Sequence, residues 1–174
     1  MLLLPHPSQN FLKKVNAMPS TPATVALSAA GIPFSEHVYD HDPANRNFGE
    51  EAATVLGLDP EQVYKTLMVD VDGSLAVAVV PVTGKLDLGA LATALKAKRA
   101  VMADPAVAER KTGYLVGGIS PIGQKTKLPT VIDETVELFD TVFVSGGRRG
   151  FDIELAPSDL VLATDAILAP IARD

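Results

Sequence analysis

The sequence predicts an α+β domain of short helices around a mixed sheet or barrel. Three observations carry that reading. Strand-like and helix-like runs are interspersed without a regular strand–helix–strand repeat, which disfavours a doubly wound fold. The clearest strand runs, 65–71 and 75–81, are joined across Asp72-Gly73, a favoured two-residue hairpin turn. At 174 residues with 47% hydrophobic and 21% charged residues, the chain has the size and composition of one globular domain with a real core.

Taken in order, residues 1–20 read as a loose N-terminal extension, with Met18 a candidate start just ahead of the first structural signal. Residues 21–174 read as a single domain. Thr21 followed by Pro22 opens a short amphipathic helix that stops at Gly31. "PFSEHVYDHD" reads as a short strand running into a turn. "NRNFGEEAATVLG" gives a second helix, with Asn47 as cap, acids in its first turn and Gly57 as terminator. The hairpin follows, with Lys65 where its first strand begins. "KLDLGALATALKAK" presents Leu88, Leu91, Ala92 and Leu95 at helical spacing, and "DPAVAERKTG" is a helix opened by Asp104-Pro105 and closed at Gly113. "TVIDE", "TVFVSG" and "FDIEL" are strands, and "APSDLVLAT" is a terminal helix capped around Ser158.

Composition removes several function classes. The chain has no cysteine, so it has no disulfides, no thiolate nucleophile and no cysteine-ligated zinc, in keeping with a cytoplasmic setting. No apolar run approaches bilayer length, and no membrane partner is expected. Aromatics are 5% with no Trp, too few for a wide stacking platform, so any base must sit in a small pocket. A net charge of -6 opposes strong nonspecific binding of polyanions. That charge is uneven. Residues 21–95 carry three bases (Arg46, Lys65, Lys85) against ten acids, whereas 96–149 carry nine bases against six acids. One side of the molecule is therefore suited to phosphates while the whole stays acidic.

Histidine chemistry is sparse. His6 lies in the extension, and His37 and His41 flank one strand end as a surface strand residue and a turn residue, which leaves no triad. "HVYDHD" gathers His37, Asp40, His41 and Asp42 but matches no defined metal spacing, so neither metal nor other cofactor is expected. Two glycine-rich segments, "GYLVGGISPIGQKTKLP" and "VSGGRRGFDIEL", are flanked by bases but lack phosphate-loop spacing. Gly123 and Gly150 read as turn residues. The pairs Gly117-Gly118 and Gly146-Gly147 read as bare main chain that a ligand can approach, so that amides donate to a carbonyl or phosphate. Lys65 is read either as a solvated strand-edge lysine or as a cation at the mouth of the sheet.

The landmarks "YDHDPANRNFGEE", "LGLDPEQVYKTL", "VAVVPVTGKLDL", "MADPAVAERKTGYLVGGISPIGQK", "LPTVID" and "VSGGRRGFDIEL" resemble the YbaK-type Cys-tRNA(Pro) deacylases, relatives of the editing domain inserted in bacterial prolyl-tRNA synthetases. The likeness runs from Thr21 to Asp174. It implies a mixed, barrel-like sheet and an activity that clears cysteine wrongly attached to proline tRNA, with the substrate's own thiol as attacking group. It carries functional positions to Lys65, Gly117, Asp152, Tyr39 and Ser145. Phe48, Thr66, Ile119 and Gly146, within the same motifs, are expected to wall the pocket.

On this resemblance Lys65 holds the terminal ribose or a phosphate, and the amides around Gly117 and Gly118 polarise the ester. Asp152 accepts hydrogen bonds from the adenosine end or the amino acid's ammonium. Weak, salt-sensitive tRNA contact is expected through Lys125, Lys127, Arg148 and Arg149, joined by Lys96, Lys98, Arg99 and Lys111. Prolyl-tRNA synthetase is the expected partner, raising effective concentration. Two alternatives remain at this stage: a deacylase for Ala-tRNA(Pro), and a module that binds an aminoacyl-adenosine or nucleotide without turnover.

Overall fold

A computed structural model describes residues 20–174. The expected extension, including His6 and Met18, lies outside the described residues except for Ser20.

The hairpin forms as its turn chemistry dictates. Strands β2 (Tyr64–Val71) and β3 (Ser74–Pro81) pair antiparallel, and Asp72 (φ 50°) and Gly73 (φ 88°) supply the two positive φ values of a hairpin turn. β3 is apolar on both faces because both are covered. It lies between β2 and β6 (Thr130–Asp133), which joins it in parallel. Beyond β6 comes β9 (Ile167–Ala169), also parallel, and outside β2 lies the short β5 (Ala100–Met102). The result is a mixed five-stranded sheet of order β5-β2-β3-β6-β9. A second, antiparallel sheet sets β8 (Phe151–Leu155) between β1 (Ser35–Val38) and β7 (Val142–Arg148). β4 (Lys85–Leu86) and β10 (Ala172–Arg173) form a small ribbon. An isolated parallel bridge, Val63 to Phe143, links the two larger sheets.

Alternation along β3 divides the interior. Val77 and Val79 join a core with Tyr64, Met68, Ile132, Val144, Phe151 and Ile153, roofed by Ala23 and Leu27 of helix α1 (Pro22–Ala29). Ala76, Ala78 and Val80 join the opposite core with Val69, Val131, and Leu91 and Ala92 of α3 (Leu88–Ala94). Burying several such side chains, at about 1.5–3 kcal/mol each, stabilises both layers. The remaining helices are α2 (Phe48–Leu56), α4 (Pro105–Thr112) and α5 (Pro157–Thr164).

The mixed α+β architecture agrees with expectation, as do the first hairpin, α1, α2 and α4. Thr21 caps α1 in a reciprocal pair with Thr24, and Asp104 accepts from Ala106 and Val107 at the start of α4. Several local expectations are corrected. Asn47 precedes α2, but its side chain donates to Glu50 and makes no cap bond. Lys85 and Leu86 are strand, and Asp87 caps a shorter α3. Ser158 lies inside α5, which follows Ala156 without a side-chain cap and is succeeded by β9 and β10. Strands of two or three residues contain too little alternation to be read locally.

Candidate functional site

At the Val63–Phe143 bridge β2 and β7 lie side by side; past it they pair no further, and a cavity of about 340 Å³ opens between them. Lys65, Thr66, Leu67 and Met68 of β2 form one wall, and Ser145, Arg148 and Asp152 form the opposite one. Tyr39, Arg46, Asn47 and Phe48 close one end. Val116, Gly117 and Ile119 close another, and Met102, Ala103, Pro105 and Ala108 give an apolar shelf. The sequence therefore folds so that Lys65, Gly117, Tyr39, Phe48, Thr66, Ile119, Ser145 and Asp152 border one hollow. Its size is at the lower end of small-molecule sites.

The turn bearing Gly117 is tied on several sides. Leu115 C=O accepts from Gly118 N–H at 2.9 Å, and Gly117 at the third position has φ 88°, the type II geometry that requires glycine. Val116 N–H donates to Glu109 Oε1 at 3.0 Å, and Val116 C=O accepts from Nε and Nη2 of Arg149 at 3.1 and 2.8 Å. The Gly117 N–H has no acceptor among the described residues. A free amide at a cavity wall is what stabilising a developing oxyanion requires.

Asp152 and Ser145 are direct cross-strand partners on β8 and β7, so their side chains share one face of the small sheet. Asp152 is only 7% exposed, and burial raises its carboxyl to about 7. Burial likewise pushes the Tyr39 phenol well above its ordinary value, helped by the negative charges of Asp152 and Glu51. Lys65 is shifted downward, chiefly by burial; Glu50 opposes that shift and Lys85 adds to it. Thr66 Oγ1 is buried without a hydrogen-bond partner among the described residues.

The glycine pairs are corrected in part. A Cβ on Gly118 would stand 2.6 Å from Arg148 Cα, one on Gly146 would enter the Phe151 ring, and one on Gly147 would stand 2.8 Å from Tyr114 Cε1. These three glycines serve close packing of protein on protein. Gly118 N–H is already spent on Leu115, and neither Gly118 nor Gly146 lines the cavity. The break in the β7–β8 register between Ser145 and Arg148, which holds Gly146 and Gly147, leaves Arg148 on the cavity.

The expected tRNA-facing bases sit in different local settings. Arg148 borders the cavity, while Lys127 pairs with Asp165 at 3.0 Å on an exposed surface and Lys125 is exposed away from the lining. Lys98 and Arg99 donate their backbone N–H groups to Asp72 at the hairpin tip, roughly 23 Å along β2 from Lys65. His37 and His41 do not line the cavity. They pair with Glu154 at 3.0 Å and with buried Glu51 at 2.7 Å. Among the described residues no three His, Asp or Glu side chains gather as a metal site. Arg46, Asn47, Met102, Pro105 and Val116 belong to the cavity but are not among the site residues expected from sequence, since nothing local marks them as more than loop, helix-end and shelf residues.

The hollow combines one ammonium, the guanidiniums of Arg46 and Arg148 and a buried carboxyl with a glycine amide that has no protein acceptor, a set suited to binding a polar ligand, and among the described residues no histidine lines it. The chain belongs to the family described as "Aminoacyl-tRNA editing domain", whose profile matches residues 43–162. It is 36% identical over 145 residues to EbsC of Enterococcus faecalis, a candidate Cys-tRNA(Pro)/Cys-tRNA(Cys) deacylase, covering 80% of this chain and 85% of that one. It is 35% identical over 132 residues to a proline–tRNA ligase of Geobacter metallireducens, covering 72% of this chain but 22% of the ligase. A crystal structure of a candidate trans-editing enzyme for prolyl tRNA synthetase superposes with a TM-score of 0.76 at 25% identity, covering 90% of this chain and 100% of that one. The fold class expected from sequence is thus that of known editing domains. No helix among the described residues is long and apolar enough to cross a membrane.

Proposed function

We propose that this protein is a trans-editing deacylase that clears cysteine from mischarged tRNA(Pro) in the cytoplasm, with prolyl-tRNA synthetase as partner. One observation carries the reading: Lys65, Gly117, Ser145 and Asp152, from four separate segments, border the same cavity. The relatives' names favour cysteine as the cargo and the proline system as the context.

The aminoacyl ester is activated, so positioning and charge stabilisation suffice. Lys65 grips the terminal ribose or a phosphate. Gly117 N–H donates to the ester carbonyl as it becomes an oxyanion. Asp152, titrating at about 7, receives the substrate's ammonium, and that positive charge draws the carboxyl toward its ionised form. Tyr39, Phe48, Thr66 and Ser145 complete the wall. The cysteine sulfur attacks the carbonyl carbon, the bond to the ribose oxygen breaks, and that oxygen takes the proton the thiol gives up. The cyclic thioester released then opens with water to free cysteine.

The test is to incubate the protein with tRNA(Pro) charged in turn with Cys, Ala, Ser and Pro. Cysteine is released fastest, and serine, the same shape with a poorer nucleophile, is spared. Equal release of serine and cysteine would remove the thiol from the mechanism. Faster release of alanine would reassign the substrate, and protection of every ester would make the domain a binder.

A further inference from the structure

Arg149 is exposed and basic, and from sequence it reads as a phosphate contact. In the structure its guanidinium is already engaged. Nε and Nη2 both reach Val116 C=O, at 3.1 and 2.8 Å, while the guanidinium carbon stands 4.9 Å from the Phe48 ring centroid, in cation–π contact. Gly117 fits beneath this pair so closely that a Cβ there would lie 2.6 Å from Arg149 Nε and 2.7 Å from Phe48 Cζ. Three segments far apart in the chain, at 48, 115–118 and 149, thus meet at one side chain.

We infer that Arg149 is a positioning residue: its guanidinium locks the Leu115–Gly118 turn against Phe48 and holds the unpaired Gly117 N–H at the cavity wall. Glu109 accepts from the Val116 N–H and so secures the preceding Leu115–Val116 peptide, which leaves the Val116–Gly117 peptide plane free to rotate about the Val116 Cα–C bond. Arg149 occupies that carbonyl with two donors and so fixes the plane that carries the Gly117 N–H. A lysine cannot replace this, since an ammonium has neither the planar fork nor the stacking face. Arg148 is the neighbouring base left to face the cavity.

The kinetic readout rests on the deacylase reading; the structural readout does not. Arg149→Ala and Arg149→Lys are compared with the native protein for kcat and KM on Cys-tRNA(Pro) across a salt series, and for amide hydrogen exchange at Val116 and Gly118. The expected result is a fall in kcat of about tenfold or more in both variants, with KM and its salt dependence unchanged and faster exchange at both amides. A phosphate contact would give the reverse: kcat intact, KM raised, and the salt slope reduced by about one. That outcome, full activity in Arg149→Lys, or unaltered exchange at Val116 and Gly118 overturns the inference. If the native protein deacylates no charged tRNA, the functional reading fails while hydrogen exchange still decides the clamp.

Discussion

Replacing Asp152 by asparagine tests how the cavity treats charge. A carboxyl that titrates at about 7 in place of 3.8 holds its proton roughly a thousandfold more tightly in the folded state, equivalent to about 4 kcal/mol. The cause is burial, so the charged form is the disfavoured one. The sign follows from linkage. Between pH 3.8 and about 7 the unfolded chain has lost this proton and the folded chain keeps it, so stability falls as pH rises through that window and levels off above it. Asparagine carries no such charge, and its advantage over aspartate therefore grows with pH. For a domain of this length about 1 kcal/mol moves Tm by roughly 2–4 °C, which gives a relative gain of up to about 8–16 °C. The assay is Tm of both proteins at matched ionic strength from about pH 4 to pH 8. A difference that stays constant to within about 1 °C across that range would show that Asp152 is not held in a desolvated, protonated state, and the account of its role would fall with it.

Lys65→Ala should slow deacylation of Cys-tRNA(Pro) well beyond twofold, measured as kcat/KM; a change within about a factor of two, under half a kcal/mol of barrier, removes the lysine from the mechanism. Gly117→Ala forces a side chain into positive φ and against Phe48 and Arg149, so activity should drop at least about tenfold with the global fold retained by circular dichroism. Gly146→Ala drives a methyl into the buried Phe151 ring. It should cost about 1–3 kcal/mol in urea unfolding, whereas a midpoint equal to the native one would deny the packing role.

Much of the fold was legible because its signals are local. Thr21, Asp104, Gly57 and Gly113 end helices through bonds to residues only a few positions away, and Asp72-Gly73 closes a hairpin between adjacent strands. The strands β4, β5, β9 and β10 escaped because each is too short for alternation and exists only where a distant partner meets it, as Arg173 meets Lys85. Of the residues the family likeness pointed to, Tyr39, Lys65, Gly117, Ser145 and Asp152 border one cavity, whereas Gly118 and Gly146 do not line it. Arg46 and Asn47, and shelf residues such as Met102 and Pro105, became visible only once four segments were packed side by side.

The sequence by itself determined the α+β class, the main hairpin, the helix ends and a short set of residues that converge on one hollow. Tertiary structure decided how those residues are used. It packed Gly118 against Arg148, packed Gly146 and Gly147 against Phe151 and Tyr114, and turned Arg149 onto a carbonyl 33 positions away. A cap or a tight turn is settled by the peptide's own neighbours. Whether an amide or a guanidinium remains free for a ligand depends on which acceptor from elsewhere in the chain reaches it first.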